Sequence, residues 1–186
     1  MSNKSAFRVA VIGGSWLGAE TLCRLNALGC DVALIAEATD QKPQDTARAL
    51  GLPMALKPND LPLLAADFPW QPDLIVSAHS FRIVPAWFIE WAKCGAIGYH
   101  PSLLPNYKGR RAIRDALADG TRITGGTVYW MTDNIDAGPA VIVGGTRLRR
   151  PVQILPGESA LSLWKRSLAP LGAEMITTAV RDISGL

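Results

Sequence analysis

Residues 7–36 constrain the fold more than any other stretch of the chain. Phe7-Arg8-Val9-Ala10-Val11-Ile12 is made mostly of β-formers and Gly13-Gly14 breaks the run. Ser15 can cap a helix to about Leu28, Gly29 ends it, and Asp31 to Ala36 supplies a second apolar strand. Strand, helix and strand in that order form a crossover unit, which needs a parallel sheet with helices laid on its faces.

The rest of the chain extends that unit. A helix is expected from Pro43 to Ala49-Leu50, then a short edge strand near Met54-Ala55-Leu56, and two helical turns from Asp60 to Ala66. Asp73-Leu74-Ile75-Val76-Ser77-Ala78 is a buried strand by its continuous apolar run. Pro85 opens a helix whose Trp87, Phe88 and Trp91 are core-facing by spacing. Cys94 to His100 is a short apolar strand, Arg110 to Ala118 a helix, and Thr124 to Met131 and Pro139 to Val143 two more strands. From Gly157 to about Val180 the apolar spacing is helical, with Pro170 marking a kink or break. The expected fold class is α/β, an open, mostly parallel twisted sheet with helices on both faces, in one domain spanning residues 1–186.

Composition narrows the function classes. A hydrophobic content of 48% with 19% charged residues is ordinary for a globular protein, and no apolar run approaches a membrane span of about 20 residues. The N-terminus runs from Met1-Ser2-Asn3-Lys4-Ser5 straight into the first strand, so a buried strand is expected there rather than a leader, and cytoplasm is the default compartment. Cys23, Cys30 and Cys94 lack metal or redox spacing and sit among apolar neighbours, so reduced, packed thiols are expected. Two histidines make a zinc site a poor fit, and no metal is expected. A net charge of +3 is too slight to argue for nucleic acid, and Arg147, Arg149 and Arg150 read as a solvated strand end. Glu37 stands where a ribose-binding acid would stand in a dinucleotide fold, but Ser15 replaces the glycine that would let backbone approach a pyrophosphate.

Chemistry is expected at a strand exit. Pro101 cannot donate to a ladder and biases His100 away from helix, so His100 ends its strand, at the sheet edge where α/β proteins bind ligands. Gly98-Tyr99-His100-Pro101-Ser102-Leu103-Leu104-Pro105 is answered downstream by Ile135-Asp136-Ala137-Gly138. Taken singly, His100 reads as a strand-end histidine satisfied by backbone, Asp136 as a turn residue, and His79 as structural or pocket-lining.

The run His100 to Pro105, with Tyr107-Lys108-Gly109, Gly125-Gly126-Thr127-Val128 and Asp136-Ala137-Gly138-Pro139, resembles the folate-dependent formyltransferase family. The resemblance implies a Rossmann-like formyltransferase fold and a formyl group taken from 10-formyltetrahydrofolate to the amine of a small molecule. It makes His100 and Asp136 the catalytic pair, and Phe81, Arg82, Ile83, Val84 and Asp133 the folate-binding residues. Gly13, Gly14, Ser15 and Gly98 fall at acceptor-binding positions, and neither a membrane nor nucleic acid is implied as partner. Two departures stand out. The family asparagine two residues before the histidine is Gly98 here, and loss of such a donor costs about 3–4 kcal/mol of transition-state stabilisation. The first loop, Gly13-Gly14-Ser15-Trp16-Leu17-Gly18, does not resemble the phosphate cradle of the members that act on glycinamide ribonucleotide. Hydrolysis of the same donor, and folate binding without turnover, are the alternatives these departures leave open.

Overall fold

A computed structural model describes residues 6–186, so Met1 to Ser5 lie outside the described residues. The elements are β1 (Arg8–Gly13), α1 (Ser15–Ala27), β2 (Asp31–Ala36), α2 (Gln41–Ala49), β3 (Met54–Leu56), β4 (Leu74–Ala78), α3 (Ala86–Trp91) and β5 (Ala96–His100). There follow α4 (Ala112–Ala118), β6 (Ile123–Trp130), β7 (Ile142–Val143), β8 (Thr146–Arg147), β9 (Arg149–Gln153), α5 (Ala160–Leu163) and α6 (Ala169–Ser184). The main sheet runs in the order β3-β2-β1-β4-β5-β6-β9. β1 to β5 are parallel, while β6 and β9 join antiparallel. This is the open, mostly parallel sheet that the crossover unit required.

Alternation along β1 divides the core. Val9 and Val11 join Leu17, Leu22, Met175, Ile176 and Val180 on the face covered by α1 and α6. Ala10 and Ile12 join Ile35, Phe68, Ile75 and Phe88 on the face covered by α3. A sheet buried on both faces explains why β1, β2 and β4 are nearly continuous apolar runs. No helix among the described residues is long and apolar enough to cross a membrane.

Several expectations are corrected. Asp60 to Ala66 forms no helix of two turns, only a 3₁₀ turn at Ala65–Asp67, because Pro58 and Pro62 interrupt the ladder. Pro139 to Val143 is not one strand: Ala140 makes a single bridge to Tyr129, and Ile142–Val143 turns back as a hairpin with β8. The arginine cluster is divided: Arg147 ends β8, while Arg149 and Arg150 begin β9, an edge strand of the main sheet. Trp87 is 43% exposed, whereas Phe88 fills the core. Only Cys30 is buried; Cys23 and Cys94 are exposed, and all three are free thiols. Pro170 causes no break, since it sits in the first turn of α6, after a π-helical segment at Trp164–Leu168. That segment leaves the Leu168 carbonyl to accept from the Tyr99 hydroxyl at 2.7 Å.

Candidate active site

β5 delivers His100 to the C-terminal edge of the parallel strands, and the loop after β6 brings Asp136 back to it. The return requires glycine: a Cβ on Gly138 would lie 1.7 Å from the Trp130 carbonyl oxygen. The turn between them holds Asp136 at φ 49, in the left-handed region that asparagine and aspartate tolerate best. Thr127 fixes the other side, its hydroxyl donating to the Ser102 carbonyl at 2.7 Å and accepting from the Leu104 N–H at 3.1 Å.

Asp136 is buried and its carboxylate is fully engaged. Oδ1 accepts from the Tyr129 hydroxyl at 2.7 Å, and Oδ2 accepts from the Gly109 N–H at 2.7 Å and lies 3.3 Å from His100 Nδ1. His100 Nε2 sits 2.7 Å from the Tyr107 carbonyl oxygen. A carbonyl oxygen only accepts, so Nε2 carries a proton; a carboxylate only accepts, so a proton on Nδ1 suits that side too. The geometry therefore fits a doubly protonated ring between two acceptors. Burial, reinforced by the Asp136 carboxylate, pushes the Tyr129 phenol far above its ordinary 10, which keeps it a donor.

This pair lines a cavity of about 670 Å³, within the range of small-molecule sites. Phe81, Arg82, Ile83, Val84 and Asp133 line the same cavity. Their contributions differ: Ile83 is 72% exposed, whereas the Arg82 guanidinium turns away to bond the carbonyls of Lys57, Pro58 and Leu61. Arg82 thus pins the loop and offers the cavity its backbone. Arg110, Arg111 and Arg114 bring positive charge to the wall, with Arg110 over the Phe81 ring at 5.1 Å. Gly13, Gly14 and Ser15 line a second cavity of about 300 Å³, which shares His79 to Arg82 with the first. Gly98 lines neither, because the Tyr129 ring lies over it.

The described non-glycine residues at positive φ are Ser15, His79, Tyr107 and Asp136, and all four lie at these cavities or on His100. Such conformations cost of order 1–3 kcal/mol each and concentrate at functional sites. His79 stacks on Trp164 with ring centroids 4.8 Å apart, and its Nδ1 is buried without a partner. Burial pushes its ring below the ordinary 6.5, against the opposing pull of Asp40 and the Gly14 carbonyl.

Tyr129 and Asp40 are the site residues sequence reading missed. Tyr129 looked like an ordinary strand aromatic, and only its register opposite Gly98 reveals its part. Asp40 stands at the N-cap of α2, where an aspartate is unremarkable, yet its side chain makes no bond to that helix. Its Oδ2 instead accepts the Ser15 N–H of α1 at 2.5 Å.

Residues 63–180 match the family model described as Formyl transferase. The Cytosolic 10-formyltetrahydrofolate dehydrogenase of Mus musculus is 29% identical over 189 residues, covering 95% of this chain and 20% of that protein. The chain thus spans about a fifth of the length of the dehydrogenases it matches. The Phosphoribosylglycinamide formyltransferase of Mycobacterium tuberculosis is 34% identical over 107 residues, covering 58% of this chain and 47% of that one. Among solved structures, the phosphoribosylglycinamide formyltransferase from Anaplasma phagocytophilum superposes with a TM-score of 0.79 at 25% identity, over 97% of this chain and 88% of that one. A formyltetrahydrofolate deformylase from Pseudomonas syringae pv. tomato shares the fold, with a TM-score of 0.77 at 20% identity, over 96% of this chain and 61% of that one.

Proposed function

The chain belongs to the formyl transferase family, and on that premise we propose that it moves the formyl group of 10-formyltetrahydrofolate to the amine of a small molecule, with His100 and Asp136 as catalytic residues. The observation that carries the reading is the buried His100–Asp136 contact of 3.3 Å at the wall of a cavity large enough for a folate.

The amine nitrogen bonds to the formyl carbon, giving a tetrahedral oxyanion, and the bond from that carbon to the folate nitrogen then breaks. An amine entering as its ammonium first releases one proton to water; of its remaining protons, one passes to the folate nitrogen and one stays on the formamide. His100 supplies a positive donor to the oxyanion when its Nε2–H turns from the Tyr107 carbonyl to the formyl oxygen. Asp136 holds the ring and balances its charge, and is itself held by Tyr129 and Gly109. Ile83, Ile135 and Leu161 give the cavity apolar walls, and the three arginines suit a folate's carboxylate tail.

Hydrolysis of the same donor is a second reading, favoured by one observation: Gly98 brings no side-chain amide to the formyl oxygen. The purified chain, mixed with 10-formyltetrahydrofolate and followed spectrally with and without a panel of small amines, separates the two. Transfer predicts deformylation that depends on amine, with formamide formed in equal amount. Turnover at the same rate without amine means hydrolysis instead.

A further inference from the structure

The second cavity opens where the strand order reverses, between the ends of β1 and β4, the usual ligand crevice of an open α/β sheet. Three observations define the charge it accepts. The amide at the start of α1, where an α/β protein would seat a phosphate, already carries an anion, because Asp40 Oδ2 takes the Ser15 N–H at 2.5 Å. The same oxygen would lie 2.9 Å from a Cβ on Gly14, so no space remains between carboxylate and loop. The basic residues of the lining are spent inside the protein. Lys57 Nζ bonds Asp67 Oδ2 at 2.5 Å, and the Arg82 guanidinium is taken by the carbonyls of Lys57, Pro58 and Leu61. Finally, Glu37 and Asp40 both line the cavity; Glu37 accepts the Asn59 N–H at 3.1 Å and faces the Arg82 charge, whereas Asp40 is in no ion pair among the described residues, so the negative charge left at the loop is its own.

A phosphate ester entering here would have to evict Asp40 or sit against it. Two like charges held in contact near a protein surface repel, and among the described residues no cation of the lining is ion-paired with Asp40 to offset it. An ammonium meets the opposite field.

We propose that Asp40 is the specificity-determining residue of the acceptor site, an internal anion that shuts out phosphate esters and leaves the second cavity to a small, phosphate-free amine. The inference rests on the formyl-transfer reading for the word acceptor, but the exclusion of phosphate is a property of the cavity itself. Asp40 makes no side-chain bond to α2, and Asp40→Asn keeps an oxygen for the Ser15 N–H, so it tests the charge, while Asp40→Ala also frees that amide.

The experiment has two arms on the full chain. Inorganic phosphate is titrated into wild type, Asp40→Asn and Asp40→Ala, with thermal unfolding and ³¹P line width as readouts. Wild type is expected to show no response at millimolar phosphate, and Asp40→Ala a rise in Tm with line broadening. Asp40→Asn falls between them. Consumption of 10-formyltetrahydrofolate is then measured with matched pairs, ethanolamine against phosphoethanolamine and glucosamine against glucosamine 6-phosphate. Wild type is expected to use the plain amine of a pair at least roughly tenfold better, and Asp40→Asn to narrow that preference. Phosphate binding by wild type as tight as by Asp40→Ala, or preference for a phosphorylated amine, overturns the proposal. If no amine is consumed but phosphate binds only the Asp40 variants, the exclusion holds and the transfer reading is what fails.

Discussion

Gly98→Asn would restore the side chain that the family resemblance places two residues before the histidine, and the structure predicts that it does harm. Gly98 pairs with Tyr129 across β5 and β6, and a Cβ there would lie 3.2 Å from Cε1, Cζ and Oη of the Tyr129 ring. That is tighter than ordinary van der Waals contact, so the ring must give way to admit the side chain. β5 is held between β4 and β6, so the strand cannot retreat. Overpacking of this kind costs about 1–3 kcal/mol. Displacing the ring also breaks the 2.7 Å hydrogen bond to Asp136, and a lost bond to a charged group adds about 1.5–3 kcal/mol. At about 2–4 °C per kcal/mol for a domain of this size, Tm should fall by roughly 5–25 °C. Circular dichroism reads the melt, and donor deformylation reads the site, where the rate should fall too because Asp136 no longer holds His100. Adding Tyr129→Ala makes room and should recover part of the lost stability, with a coupling above about 1 kcal/mol in the double-mutant cycle. A Gly98→Asn chain that melts with wild type and turns over faster would refute the idea that Tyr129 has taken this space.

Other expectations follow from the same geometry. Arg82→Ala strands three carbonyls that the guanidinium now satisfies, so stability should drop by about 3 kcal/mol in urea unfolding and folate affinity should weaken as the loop at Phe81 to Val84 loosens; unchanged values of both would contradict the pinning role. His79 gives a pH signature. Its folded ring titrates below its ordinary 6.5 because it is buried, so the unfolded chain binds the proton first as pH falls. Its contribution is fully present above about pH 6.5 and is lost as pH drops towards the folded value, with a slope of at most about 1.4 kcal/mol per pH unit. With only two histidines in the chain, ¹H NMR resolves it: one ring should titrate below 6.5, His79→Gln should remove that signal, and a midpoint at or above 6.5 would contradict the burial argument.

What was legible in the sequence is what local pattern encodes. β1, β2 and β4 are continuous apolar runs because helices cover both faces of the sheet, and glycines mark the ends of α1 and α2. Proline and glycine made the strand exit at His100 and the turn at Asp136 legible, but only the family resemblance joined the two residues as a candidate pair. β9 was missed because it is an edge strand: Arg149, Arg150 and Pro151 protect an open edge, and the same residues make it look like loop. Tyr129 and Asp40 were missed for a different reason. Each acts on a residue of another element, Gly98 in one case and Ser15 in the other, and no periodicity announces a partner that only the register of β5 against β6, or the approach of α2 to α1, brings near.

The roles of His100 and Asp136 are tested most directly by a single-turnover measurement. Wild type, His100→Ala and Asp136→Asn are each mixed in excess over 10-formyltetrahydrofolate, with donor affinity measured in parallel. The variants should bind the donor within a few-fold of wild type and deformylate it at least ~100-fold more slowly. Variants that turn over at the wild-type rate, or a wild type that leaves the formyl group in place with every amine and with water, would contradict those roles.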